Sequence, residues 1–184
     1  LYFFILFFFI DRPAGGRAGP ADQNRPGGVA VRVAVQGDAP SGAKAGYDAA
    51  ALLINAGQWN EAAGVLEGFR GSHPGHELQP QVTRKLAAAY LEAGRRHDAA
   101  VELEQVSASA AEDAEVRRAV LWQAAELYAA TDDSASAGRA YAAYVERFPM
   151  PVEPAIEARQ ELADLAAAAG DPASTDATVT ARPF

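Results

Sequence analysis

Cysteine is absent from all 184 residues, which excludes a disulfide framework and any thiol chemistry, though not a particular compartment. Phosphate-loop glycines of the form G-x-x-x-x-G-K-[ST] are missing, as is a G-x-S-x-G nucleophile elbow, so the signatures of nucleotide hydrolysis and of serine hydrolase chemistry are absent. Long apolar runs are lacking too. The longest, Leu1 to Ile10 (LYFFILFFFI), would reach about 15 Å as a helix, half of a bilayer's roughly 30 Å hydrocarbon core. Basic charge is scarce where it would matter for nucleic acid. Residues 37–172 carry 21 acidic and 11 basic side chains, a balance of −10, while residues 1–36 carry 2 acidic and 4 basic, or +2. Such an acidic body is poorly suited to the counterion release that drives binding to a phosphate backbone, so nucleic acid is not an expected partner.

What the chain does have is alanine-rich amphipathic periodicity. Before Thr131, the residues Leu121, Ala124, Ala125, Leu127 and Tyr128 recur at three- and four-residue steps; after it, Ala137, Ala140, Tyr141, Tyr144, Val145 and Phe148 do the same. Thr131-Asp132-Asp133-Ser134 lies between them, with side chains able to accept from the first N–H groups of the second helix. Pro149 and Pro151 stop that helix near Phe148. Two amphipathic helices on a short turn lie antiparallel, and one such pair cannot cover its own apolar face.

Copies of the same grammar precede it. Taking the small residue that begins the second helix's contact face as a marker gives Ala62, Ala99 and Ala137, separated by 37 and 38 residues. Five residues before the marker stand Gly57, Gly94 and, in the third copy, Asp132; four after it stand Leu66, Leu103 and Tyr141; seven after it, Phe69, Val106 and Tyr144. Proline follows twelve residues after the marker at Pro74 and Pro149, with Ala111 in the second copy. Ala50, Ala87 and Ala125 hold the matching small position in the first helices, where two backbones must approach closely.

This pattern resembles the tetratricopeptide repeat (TPR), a helix–turn–helix unit with small residues at the crossings and a closing proline. The resemblance covers roughly residues 43–171, with units longer than the minimal 34 residues and no copy matching at every site. It implies an all-α, right-handed superhelical stack of antiparallel helix pairs, a TPR-like α-solenoid of about three repeats plus a terminal helix. YAAYVERFP also resembles the tyrosine-rich second helix of outer-membrane-assembly lipoproteins and the Tol-Pal coordinator family, although this chain has no cysteine for lipid attachment.

Four segments follow from composition. Residues 1–10 are a hydrophobic segment read as an anchor or signal remnant or as non-native sequence, and membrane association is expected only if they are a genuine anchor. Residues 11–42 are Gly/Pro-rich and read as a disordered linker, with Val29, Val31, Val33 and Val35 giving an isolated strand signal. Residues 43–171 are the TPR-like repeat domain, with helices predicted at 43–56, 58–71, 79–93, 96–110, 113–130, 134–148 and 153–169, and residues 172–184 are a disordered tail. Asn60, Asp98 and Asp133 are candidate caps. The last helix matches the first half of a fourth repeat, Gly170 holding the glycine position and Glu157, Gln160, Glu161 and Asp164 forming a polar stripe. That stripe reads either as a solvating cap or as a truncation within a longer array.

The sharpest metal-like cluster is His73-Pro-Gly-His76-Glu77, but a connector with at most three donors reads as a solvated loop. No catalytic, cofactor or metal site is expected, and the chain is not read as an enzyme. The resemblance implies binding of a peptide or partner protein on a concave wall of first helices. Carried over position by position, the wall is Lys44, Tyr47, Asp48, Ala51 and Asn55; then Gln81, Arg84, Lys85, Ala88 and Glu92; then Trp122, Gln123, Glu126 and Ala130. Tyr47, Arg84 and Trp122 are side chains of the type enriched in hot spots. The expected function is a protein-interaction scaffold, periplasmic or otherwise in the cell envelope, with a cytoplasmic alternative; the alternative role is a recruitment or spacer domain of a larger protein, possibly an enzyme.

Overall fold

The computed structural model describes residues 40–110 and 112–170, without the side chains of Pro40 and Ser41. Expectations for residues 1–10, the Val29 to Val35 strand signal, Ala111 and the tail after Gly170 lie outside the described residues. Among those described there are seven helices and no strand: α1 (Pro40–Asn55), α2 (Trp59–Ser72), α3 (Gln79–Glu92), α4 (Arg96–Ala108), α5 (Ala114–Ala129), α6 (Ser134–Arg147) and α7 (Val152–Ala168). Number and order match the expected helices, and the fold is all-α and TPR-like.

The first helix starts earlier than the density of helix breakers around Pro40-Ser41-Gly42 suggests. Pro40 is its first residue, where a missing N–H breaks no helical bond.

The chain divides into two compact units, the first reaching to Glu102 and the second starting at Leu103, within α4. In the first unit α1 packs on α2 and α2 on α3. Its core is built from the expected crossing residues: Ala50, Ala62, Leu66 and Ala99 are fully buried, and Phe69 and Ala87 nearly so. In the second unit α5 packs on α6 and α6 on α7. Ala125 and Ala137 are fully buried there, with Leu103, Val106, Tyr141 and Tyr144 also in the interior.

The turn inside each helix pair explains why glycine recurs. Gly57, Gly94, Asp132 and Gly170 have φ of 72°, 76°, 58° and 73°, the left-handed conformation that terminates a helix. At the first three, the turn residue's N–H and the next one bond back to the preceding helix: Gly57 N to Ile54 O and Gln58 N to Leu53 O, Gly94 N to Leu91 O and Arg95 N to Tyr90 O, Asp132 N to Ala129 O and Asp133 N to Tyr128 O. Asp132 stands where glycine stands elsewhere because aspartate is among the few L residues that tolerate this region.

Capping is more selective than the sequence suggests. Asp133 caps α6, its carboxylate accepting from Ser136 N at 3.0 Å, whereas Thr131 donates back to Leu127 O and Tyr128 O at the end of α5. Asn60 does not cap α2, because the helix already begins at Trp59 and Gln58 is the flanking residue. Asp98 lies inside α4 and instead accepts from Arg95 Nε at 2.6 Å.

Candidate partner-binding site

Within the first unit, the helix periodicity that buries Ala50 and Ala87 leaves Tyr47, Arg84 and Lys85 half-buried. Lys85 Nζ lies 5.4 Å from the centre of the Tyr47 ring, so α1 and α3 present a joined face on which a cation sits over an aromatic ring. Lys44 donates to Asp48 at 2.7 Å on the exposed side of α1. Asn55 is exposed at the end of α1. This face can offer hydrogen-bond donors, positive charge and an aromatic surface.

Within the second unit, Trp122, Gln123 and Glu126 are half-buried on α5. Trp122 stands edge-on to Tyr141 at 5.4 Å and to Tyr144 at 5.3 Å, so its indole is braced by α6 while still reaching solvent. Burial holds the Tyr144 phenol above its ordinary pKa; the Arg118 charge opposes this and the Glu157 charge adds to it.

Sequence reasoning missed the polar contacts that join one repeat to the next. In the first unit Tyr90 donates to Glu67 Oε1 at 2.7 Å, and Arg95 reaches the same oxygen at 3.2 Å while lying over the Tyr90 ring. In the second, Tyr128 donates to Glu104 Oε2 at 3.0 Å and Arg139 reaches that oxygen at 3.4 Å. Both tyrosines are pushed upward in pKa, first by burial and then by the glutamate that accepts their hydrogen, Tyr128 to about 12. The signal was legible: each tyrosine lies four residues before the left-handed turn residue, and each glutamate ten after the preceding one.

Glu102 is almost fully buried, and its carboxylate accepts from Arg70 Nη2 at 2.8 Å. Burial raises its pKa, outweighing the downward pull of Arg70. Further along α4, Arg147 of α6 donates to both the hydroxyl and the carbonyl of buried Ser107. These contacts join α2 to α4 and α4 to α6.

The histidine connector differs from the solvated loop expected of it. His73 and His76 are half-buried against Phe69, with ring centres 5.0 Å and 5.5 Å away, because the turn after α2 folds back over that ring. His76 Nδ1 accepts from Leu78 N at 3.1 Å, so that nitrogen is already engaged. Among the described residues no group of three or more His, Asp or Glu is arranged to hold a metal ion. No helix of the described residues is long and apolar enough to cross a membrane.

Residues 119–149 match the tetratricopeptide repeat family model. The match covers most of α5 together with all of α6, the pair that carries Trp122 and the capped Asp133 turn. Among solved structures, the chain is similar to MamA (residue 41 to the end) from Desulfovibrio magneticus RS-1, with 18% identity, a TM-score of 0.45, and coverage of 84% of this chain and 82% of that one. It is also similar to a crystal structure of nearly identical TPR-like repeats from a Podospora anserina protein described as a kinesin light chain, with 20% identity, a TM-score of 0.49, and coverage of 83% and 78%. No curated protein matches the sequence.

The TPR-like helix pairs fit a protein-interaction scaffold.

Proposed function

We propose that this protein captures a peptide or a partner protein on the exposed faces of its first helices, without performing catalysis itself. The observation that carries the reading is the α1–α3 face, where Lys85 lies over Tyr47 beside Arg84 and all three side chains keep contact with solvent. An aromatic side chain braced in this way loses little conformational freedom on binding, and arginine beside it is a residue type enriched among interface anchors. In the second unit the α5 face, with Trp122 braced by two tyrosines, provides an anchor of the same kind.

The reading extends to a compartment. The YAAYVERFP helix, with buried Tyr141 and Tyr144 and a Phe148-Pro149 stop, resembles that of envelope TPR proteins, which supports a periplasmic scaffold in envelope assembly.

The test is affinity capture with the full chain from an envelope extract and from a cytosolic extract, repeated with Arg84→Ala and Trp122→Ala. A partner recovered from the envelope fraction and weakened at least tenfold by either variant supports the reading. A partner held equally by both variants moves the binding surface off these helices, and one found only in the cytosol overturns the compartment.

A further inference from the structure

Tyr90, Tyr128 and Tyr144 each lie near a carboxylate of a neighbouring helix, but only the first two donate to it, Tyr90 to Glu67 and Tyr128 to Glu104. Tyr144 is comparably buried, at 3% exposed, and among the described residues its hydroxyl donates to no group. A charge of each sign lies near it instead. Both α5 and α7 pack on α6, so side chains bordering those two contacts face the same stretch of that helix. On α5, half-buried Arg118 stands one turn before Trp122, whose indole lies 5.3 Å from the Tyr144 ring. On α7, exposed Glu157 stands between Ala155 and Ala158, the two residues buried in the contact with α6. Burial raises the Tyr144 pKa most, Arg118 draws it down, and Glu157 raises it further, so both charges reach this phenol. Neither is engaged. Among the described residues the side chains of Arg118 and Glu157 form no ion pair or hydrogen bond, with each other or with a neighbour.

A guanidinium only donates, a carboxylate only accepts, and a phenol does either. A group that fills the space between them must therefore present an acceptor toward α5 and a donor toward α7 from adjacent atoms. A carboxylate would pair with Arg118 and be repelled by Glu157, and an ammonium would do the reverse. A carboxamide satisfies both walls at once. Because Tyr144 is almost wholly buried, the floor of the site lies below the surface, where a side chain reaches and a main chain does not. We propose that the α5 face selects a partner segment by an asparagine or glutamine side chain, whose carbonyl oxygen accepts from Arg118 and whose amide nitrogen donates to Glu157 above Tyr144. This rests on the reading of the Trp122 face as an anchor surface and adds the residue type that it selects. A site with one donor wall and one acceptor wall rejects side chains that leave either wall unpaired.

The test selects a phage-displayed library of random peptides on the immobilised full chain, on Arg118→Glu, on Glu157→Arg and on the double variant, with circular dichroism as a check on folding. Wild type should enrich asparagine or glutamine at one position of the peptides. Arg118→Glu leaves two carboxylates and should enrich lysine or arginine there, while Glu157→Arg leaves two guanidiniums and should enrich aspartate or glutamate. The double variant has one wall of each kind again, and because a carboxamide can turn over, asparagine or glutamine should return. Replacing that residue by alanine in a wild-type-selected peptide should weaken its binding roughly tenfold. Unchanged binding of the alanine peptide to wild type, enriched peptides without a preferred residue, or folded single variants that keep the wild-type preference would overturn the proposal. Capture by the α5 face would survive these results so long as Trp122→Ala still weakens the selected peptides. If wild type enriches no peptide, or Trp122→Ala binds the selected peptides unchanged, that capture fails and the proposal with it.

Discussion

The junction between α2 and α3 in the first unit and that between α4 and α5 in the second use one tyrosine–glutamate hydrogen bond but different cations. Arg95 reaches Glu67 from the turn before α4, while Arg139 reaches Glu104 from within α6. The bond sits at a fixed place in the repeat because both partners are set by helix register, whereas a long arginine can reach the same oxygen from several places. The α6–α7 junction shows what happens without it. Ala142 and Ala166 occupy the glutamate and tyrosine positions, and contact relies on small residues such as Ala155 and Ala158. Close alanine packing is thus the common requirement and the polar bond an addition to it.

The largest expected effect follows from that ordering. Ala99→Leu or Ala137→Leu places three extra heavy atoms at fully buried positions and should cost about 3 kcal/mol by overpacking. Denaturant midpoints measure this, and unchanged values for both variants would remove the alanines from the close crossings.

Arg70→Ala should have the next largest effect, about 2 kcal/mol at neutral pH, below the range for a fully buried pair because the arginine is 35% exposed. Its sign with pH is fixed by Glu102. Burial holds that carboxyl above its ordinary value of 4.5, so the folded state binds its proton more tightly than the unfolded state does. The group's contribution is complete below the ordinary value and is lost as pH rises through the raised one. Removing Arg70 raises the folded value further, so the variant's deficit should shrink on acidification and widen toward neutrality. A deficit that grows toward acid would contradict this assignment.

Tyr90→Phe and Tyr128→Phe should each cost about 1 kcal/mol, since each removes one hydrogen bond to a charged acceptor near the surface. Similar losses at the two sites would confirm that the bond matters more than the arginine beside it. A loss confined to one site would show that its cation sets the strength.

Much of this was legible in the sequence. Marker spacing located Ala62, Ala99 and Ala137 because a crossing admits only a small side chain, and glycine located three of the four left-handed residues that end α1, α3, α5 and α7 because few other residues adopt that φ. Asp132 was aligned with those glycines, and its backbone angle supplies the reason. Candidate caps were less legible, since Asn60 and Asp133 look alike in sequence and only one stands at a position flanking its helix. Among candidate site residues, the repeat resemblance carried over position by position pointed to Tyr47, Arg84, Lys85 and Trp122, but it could not show that Lys85 lies over Tyr47 or that two tyrosines brace Trp122. Those contacts depend on which helices become neighbours. The fold of the histidine connector over Phe69 was likewise hidden, because no periodic pattern governs an irregular segment.

The central claim is that the first-helix faces bind a partner rather than only holding the repeats together. The most direct test measures partner affinity and thermal midpoint on the same Arg84→Ala protein. The account predicts at least a tenfold loss of affinity, about 1.4 kcal/mol or more, with the midpoint lowered by no more than about 0.5 kcal/mol equivalent, as for a surface substitution. Undiminished affinity, or an affinity loss that merely tracks unfolding, would contradict it.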